Sequence, residues 1–447
     1  MSQKRLVILG GGESGVGAAV LGKKENYEVF VSDMGTITQK YKDVLLREGI
    51  LFEENKHTNE LIINADVVVK SPGIPDTAPL IVELNQRMIS VISEIEFGSW
   101  FTNATIIGLT GSNGKTTTAS LTYHLLKAGG LNVGLGGNIG KSFAWQVAEC
   151  DFDFYVLELS SFQLDGIKNM KFDVSVLLNI TPDHLDRYEY NFDNYIDSKF
   201  KIIKNVDENS VFIYNGDDDN IVDKLSNVTF PVKSYSFMHS ALGGIGAGVD
   251  DTGVLVDINN PMRISVDATK LRGKHNTYNI MASVSVANVL NVDESTIVEA
   301  LGTFSSIEHR LESVLVLNGI EYINDSKATN VDSTWYALDS IVDNIIWVAG
   351  GVDKGNDYSQ LIPLVKSKVH GIVCLGKDNQ KLHEAFGPYV KQIEESLSAD
   401  EAVNKATAMA SEGFTVLLSP ACASFDLFHN YEDRGVKFKE AIKNITK

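Results

Sequence analysis

Residues 106–120 read IIGLTGSNGKTTTAS, and the rest of the chain is organised around them. Thr105 to Leu109 is a short apolar run suited to a buried strand. A glycine-rich loop follows, with Gly111, Ser112, Asn113 and Gly114. Lys115-Thr116-Thr117 then opens a helix expected to reach about Ala128. Strand, glycine loop and helix in that order form a P-loop, whose inward backbone N–H groups and helix N-terminus attract phosphate oxygens. Lys115 can reach the β- and γ-phosphates of a nucleotide, and the Thr116 hydroxyl can ligate Mg²⁺. The strict pattern G-x-x-x-x-G-K-[ST] needs glycine at 109, where this chain has Leu109 between Gly108 and Gly111. A glycine turn with an incidental lysine is the plain alternative. Gly-Lys-Thr at the helix start favours a bound nucleoside triphosphate.

A length of 447 residues suggests about three domains of ~150 residues. An apolar share of 44% is enough for several cores, and no apolar run approaches the ~18 residues of a membrane helix. Leu6–Leu9 is too short for a signal peptide, so a cytoplasmic protein is expected. Cys150, Cys374 and Cys422 lie far apart, without metal-ligand spacing, and read as reduced, buried small residues. A net charge of −19 argues against nucleic acid or an anionic membrane as partner. Anionic substrates would then need a local basic cluster.

The first region, residues 1–93, alternates short apolar strands with helical stretches, the pattern of a parallel sheet. Arg5–Leu9 is a strand followed by Gly10-Gly11-Gly12-Glu13-Ser14-Gly15. Glu28–Ser32 is a second, ending at Asp33, which lies 18 residues past Gly15. Gly10, Gly12 and Gly15 satisfy G-x-G-x-x-G with an acidic residue at about the expected spacing, which leaves an NAD-dependent oxidoreductase open. A lone fingerprint says only that a diphosphate can rest there. Ser71-Pro72-Gly73-Ile74-Pro75 is a rigid loop after the strand Asp66–Ser71.

The second region, 94–302, holds the P-loop. The buried strand Phe154–Leu157 ends in Glu158, where a Mg²⁺ ligand is expected beside such a loop. Asp173–Leu178 leads into Asn179-Ile180-Thr181-Pro182-Asp183-His184-Leu185-Asp186-Arg187-Tyr188. His184 reads as functional because it follows a strand end near the phosphate site; Asp186 and Arg187 divide evenly between site and solvated loop. Ala241–Asn260 reads as a surface hairpin. Asn276 and Asn279 fall at the start of a helix expected over Thr277–Leu290, as caps or nucleotide contacts.

The third region, 303–447, repeats the alternation, with apolar strands Ile345–Ala349, Gly371–Leu375 and Thr415–Leu418 suited to a doubly covered sheet. Arg310, Lys327 and Lys354 fall in loops beside glycines or hydroxyls and supply the basic cluster.

Together these segments resemble the Mur ligases, ATP-dependent amide ligases of peptidoglycan synthesis. The likeness covers essentially the whole chain. It rests on GSNGKTT (111–117), ELSSFQL (158–164), NITPDHLDRY (179–188), KHNTYN (274–279), EHRLE (308–312), NDSKATN (324–330) and SPACASFD (419–426). Within the group, ELSSFQL, SPACASFD and Asn430-Tyr431-Glu432-Asp433-Arg434-Gly435 point to the member that adds D-glutamate to UDP-N-acetylmuramoyl-L-alanine. Ser112 stands for the usual threonine of the loop. The resemblance implies a Rossmann-like UDP-binding domain, a central P-loop ATPase domain and a Rossmann-like C-terminal domain, acting as a monomer. Gly12, Ser14 and Gly15 would hold the UDP diphosphate, Asp33 and Met34 the uracil, and Ser71, Gly73, Asn138 and His184 the rest of that substrate. Asn276, Asn279, Arg310 and Asp325 would contact ATP with the P-loop residues, including Thr117. Lys327, Thr329, Lys354, Ser424 and Tyr431 would hold D-glutamate. Thr116 and Glu158 would hold one Mg²⁺; Lys199 matches the family's carbamylated lysine and would hold a second Mg²⁺ together with His184. ATP bound to one domain and the amino acid to another imply hinge motion near residue 303. A ligase of the same group with another amino acid, including folylpolyglutamate synthase, and a non-catalytic nucleotide-binding protein are the alternatives.

Overall fold

The structure, a computed structural model, describes residues 3–228, 231–239, 246–250, 253–265, 268–269, 271, 273–304, 308–342 and 344–445. Two compact units divide the chain, residues 1–269 with 277–304 and residues 270–276 with 305–447. The first unit carries two sheets and the second carries one.

The first sheet contains β1 (Arg5–Leu9), β2 (Glu28–Ser32), β3 (Leu51–Glu53), β4 (Val67–Lys70) and β5 (Ser90–Ile92), all parallel, in the order β3-β2-β1-β4-β5. Leu6 to Leu9 are fully buried on both faces, as expected of a sheet covered on both sides by helices. The winding reverses between β1 and β4. That reversal sets the glycine loop after β1 against the Ser71 loop after β4, the place where open α/β sheets bind ligands. The approach is close: a Cβ on Gly10, whose φ is +105°, would sit 2.8 Å from Ser71 Cβ.

The second sheet runs through β6 (Thr105–Thr110), β7 (Val133–Gly137), β8 (Phe154–Glu158), β9 (Val174–Leu177), β10 (Val211–Asn215), β11 (Lys233–Phe237), β12 (Gly246–Asp250), β13 (Gly253–Asp257) and β14 (Met262–Ser265). Its order is β14-β13-β12-β11-β10-β9-β6-β8-β7, parallel except for the antiparallel β12-β13-β14 ribbon. Central strand β6 is flanked by β8, with Leu109 opposite Glu158, and by β9, with Thr110 opposite Leu177. Register alone therefore brings Glu158 and the Asn179 loop to either side of the P-loop.

The third sheet holds β15 (Glu312–Leu317), β16 (Ile320–Asn324), β17 (Ile345–Ala349), β18 (Val369–Leu375), β19 (Gln392–Ser396) and β20 (Thr415–Leu418), in the order β15-β16-β20-β17-β18-β19. Only the β15–β16 hairpin is antiparallel. Trp347 on β17 is fully buried, and its indole N–H donates to Ser419 O at 2.7 Å, which anchors the loop after β20.

Two expectations need correction. Cys150 is exposed, because it ends the helix Phe143–Glu149 in extended backbone; Cys374 and Cys422 are buried, and all three are free thiols. The helix carrying Asn276 and Asn279 begins at Lys274 and ends at Val289, so neither asparagine is its cap. Only part of the 241–260 hairpin is described: β12 pairs with β13, while residues 241–245 and 251–252 lie outside the described residues. Ser305–Ile307, beside the expected hinge, also lie outside them.

Candidate active site

The P-loop is held by the segment after β9. Ser112 N–H donates to Asn179 O at 2.9 Å, and Asn113 N–H to Asn179 Oδ1 at 2.8 Å. Asn179 Nδ2 returns a bond to Asn113 O at 3.0 Å, and Ser112 Oγ donates to Thr181 O at 2.8 Å. Asn179, given no role by the sequence reading, is thus the main brace of the loop. Gly114 takes φ +82° before the helix Lys115–Ala128, where a Cβ would lie 2.4 Å from Asn279 Oδ1. That oxygen also accepts from Thr118 Oγ1 at 3.1 Å, which brings Asn279 directly against the loop. Lys115 Nζ folds back onto Gly111 O at 2.7 Å and Ser112 O at 2.8 Å; Thr116 and Thr117 are buried in the first turn.

Glu158 is 1% exposed. Its Oε1 accepts from Asn138 Nδ2 at 3.1 Å, while its buried Oε2 has no hydrogen-bond partner among the described residues. A buried carboxylate oxygen without a donor is costly unless a cation completes it. Together with the buried Thr116 hydroxyl and the glycine loop, this donor set fits a divalent ion bound with a nucleotide phosphate. Lys199, from the helix Phe192–Phe200, is 1% exposed, and its Nζ donates to Gly111 O at 2.8 Å. Burial, and then the charge of Lys115, hold its pKa well below the usual lysine value.

His184 sits in left-handed backbone, φ +52°, with its ring edge-to-face with that of Phe162, the ring centres 5.2 Å apart. Arg187 covers the same ring at 4.6 Å and reaches Pro72 O and Gly73 O, each at 3.4 Å. It ties the loop that carries His184 to the loop that carries Ser71 and Gly73. On the first sheet, Asp33 accepts from Gly11 N at 2.6 Å and Gly35 N at 2.7 Å, and the neighbouring Met34 is exposed. Gly12 is the N-cap of the helix Glu13–Lys24, which places Ser14 and Gly15 in its first turn.

In the second unit, Asp325 after β16 is buried. It accepts from Ser419 Oγ at 2.9 Å and Leu311 N at 3.3 Å. Burial pushes its pKa up to about 7 against the pull of Ser419 and Arg310. Lys327 N donates to His309 O at 3.1 Å, Thr329 N to Lys327 O at 2.9 Å, and the Lys327 ammonium lies 5.3 Å from the Tyr431 ring centre. Ser424 is buried, and Lys354 stands exposed on the loop after β17, which bonds through Val352 N to Ala423 O at 2.8 Å.

Arg434 organises these loops. It is 1% exposed and donates to Ser326 Oγ (3.0 Å), Ser326 O (2.8 Å), Cys422 O (3.2 Å) and Gly350 O (3.4 Å). Its planar fork joins the loops after β16, β17 and β20, a task lysine could not do. The sequence signal is an arginine in helical register with Phe438, Ala441 and Ile442, the apolar face of the helix Tyr431–Asn444.

Comparison with known proteins agrees along the chain. The MurD N-terminal domain matches residues 5–79, the Mur ligase middle domain residues 109–287, and the glutamate ligase domain of Mur ligases residues 309–422. A UDP-N-acetylmuramoylalanine–D-glutamate ligase of Christiangramia forsetii is 54% identical over 445 residues, 99% of this chain and 100% of the relative. One of Bacteroides thetaiotaomicron is 49% identical over the same shares. Among solved structures, UDP-N-acetylmuramate–alanine ligase MurC of Thermotoga maritima overlays with a TM-score of 0.64 at 16% identity, covering 99% of each chain. A pseudomurein peptide ligase type C of Methanothermus fervidus gives 0.63 at 21%, covering 99% of this chain and 100% of its own. At such identity over nearly its full length, this chain belongs to the Mur ligase family.

Proposed function

We propose that this chain joins D-glutamate to UDP-N-acetylmuramoyl-L-alanine at the expense of ATP, as a cytoplasmic monomer. The observation that carries the ATP-dependent chemistry is the buried, half-unpartnered Glu158 carboxylate beside a glycine loop opening onto Lys115. The printed activity of the full-length relatives supports the choice of substrates. The oxidoreductase suggested by the first glycine loop has no support in these relatives, and that loop is read as the seat of the UDP diphosphate.

The L-alanine carboxylate attacks the γ-phosphorus of ATP, the bond to the bridging β–γ oxygen breaks, and ADP leaves. The D-glutamate amine then attacks the carbonyl carbon of the acyl phosphate. Phosphate departs, the amine proton is lost, and the amide remains. A carboxylate and a triphosphate repel each other, so charge neutralisation and alignment dominate. Lys115 turns from its loop carbonyls to the phosphates. Asn138 and His184 orient the muramoyl end, and Asn276, Asn279, Arg310 and Asp325 hold the nucleotide. Lys327, Thr329, Lys354, Ser424 and Tyr431 receive D-glutamate. Thr116 and Glu158 would hold one Mg²⁺, and His184 with a carbamate on Lys199 a second, and these ions would supply further positive charge against the phosphates.

The test is phosphate release from ATP, Mg²⁺ and UDP-N-acetylmuramoyl-L-alanine with D-glutamate, L-glutamate, L-alanine or L-lysine added singly. Release with D-glutamate alone is expected. Release with another amino acid instead would keep the chemistry and change the substrate, and silence with all four would overturn the reading.

A further inference from the structure

The second unit brings together three residues from separate elements of its sheet and its helices. Cys374 near the end of β18 stands directly opposite Glu395 on β19 in parallel register, so both side chains leave the same face of the sheet. The helix Gln380–Phe386 packs over that face, with Leu382 and Phe386 in the same apolar cluster as Cys374, and delivers His383. One ligand atom from each of Cys374, His383 and Glu395 lies within 4.8 Å of the other two. His383 Nε2 and Glu395 Oε1 are hydrogen-bonded, and Asn379 Nδ2 donates to Glu395 Oε2 at 2.6 Å, fixing the carboxylate.

We propose that Cys374, His383 and Glu395 form a binding site for one zinc-class divalent cation. Tetrahedral zinc, with bonds of ~2.0–2.3 Å to nitrogen, oxygen and sulfur, needs ligand atoms ~3.3–3.8 Å apart. The ligand atoms now lie within 4.8 Å of one another, and a bound ion would draw them in to that spacing. Sulfur and imidazole select a borderline-soft ion over Mg²⁺, which takes oxygen ligands. On binding, the Cys374 S–H bond breaks, its proton leaves to solvent, and a sulfur–metal bond forms. Thiolate, carboxylate and dication then sum to zero charge, which suits a half-buried site. The His383 and Glu395 side chains are 39% and 56% exposed, so the ion can enter and water can take the fourth position. The Asn379 bond to Glu395 is the kind of outer contact that steadies a metal ligand.

Co²⁺ titration of the full-length protein, followed by near-ultraviolet absorption, tests this. A thiolate-to-cobalt charge-transfer band saturating at one equivalent is expected; a nucleotide-site ion bound by oxygen and imidazole gives no such band. Cys374→Ser and His383→Ala should both lose the band, and His383→Ala should keep its phosphate-release activity. His383 is partly exposed, so its variant reads the site even if the Cys374 variant folds poorly. No thiolate band in the unsubstituted protein overturns the proposal, as does a band of full strength in folded His383→Ala.

Discussion

Lys115 and Lys199 direct their ammonium nitrogens at the same acceptor, Gly111 O, at 2.7 and 2.8 Å. Two cations on one oxygen repel, and the buried one gives up its charge first. Lys199 is that one, its pKa held down by burial and by Lys115. A neutral, buried amine is the form that adds carbon dioxide: a nitrogen–carbon bond forms, one proton leaves, and an anion appears beside Lys115. Carbon-labelled bicarbonate should therefore give a carbamate resonance in the wild-type protein and none in Lys199→Ala. That variant should lose ~10²–10³ in turnover, the usual cost of one charge-stabilising group. Normal turnover in Lys199→Ala would remove the residue from the site.

Glu158→Gln keeps the shape of the side chain and removes its charge. A buried acceptor left without a partner costs about 1–3 kcal/mol, so a residue retained only for folding should not look like this one. We expect turnover to fall ~10²–10³ while Tm holds or rises. Calorimetry beside phosphate release separates the cases, since a lower Tm with full activity would make Glu158 structural.

Much of this was legible because it is local. Gly114 and Lys115 sit at a strand–helix junction, and the apolar runs at Arg5–Leu9 and Ile345–Ala349 are strands at those bounds. Residues whose partners come from remote segments were harder to read. Arg434 works through carbonyls at Ser326, Gly350 and Cys422, and no spacing rule links those positions. Cys374, His383 and Glu395 meet only because β18 pairs with β19 beneath one helix, so cysteine spacing along the chain said nothing of them. Residue type alone makes Cys150 a buried thiol, but it falls just past the buried helix Phe143–Glu149, where the chain turns exposed.

Arg434→Met should loosen the loops that carry Lys327, Lys354 and Ser424 together. The loss leaves several buried oxygens without this donor, at about 1–3 kcal/mol for each one that finds no other. A lower Tm is expected, with KM for D-glutamate rising more than KM for ATP. Equal rises in both constants would deny Arg434 a particular role in the amino-acid pocket.

The proposed reaction draws on groups from both units, so hinge motion near residue 303 is expected during turnover. Solution scattering should show a smaller radius of gyration when ATP analogue and UDP-N-acetylmuramoyl-L-alanine are both present. An unchanged curve at saturation would count against hinge motion near residue 303.

Glu94 gives the fold a pH dependence that can be measured apart from activity. It is fully buried at the start of the helix Glu94–Ser99, and its Oε1 accepts from Ser142 Oγ and Ala144 N, each at 2.6 Å. Burial raises its pKa from 4.5 to about 7, and the nearby Glu13 charge adds a smaller push. Between those values the folded protein holds a proton that the unfolded chain has released, so this contribution to stability is complete below about pH 4.3 and declines toward pH 7. Replacing the carboxyl with an amide that cannot ionise removes the decline. Glu94→Gln should therefore match the wild type near pH 4 and exceed it at pH 8, by up to roughly 3 kcal/mol for a shift of this size. Denaturant unfolding at both values decides the matter, and a Glu94→Gln variant that is less stable at pH 8 would mean that the ionised carboxylate, not the acid, holds Ser142 and Ala144.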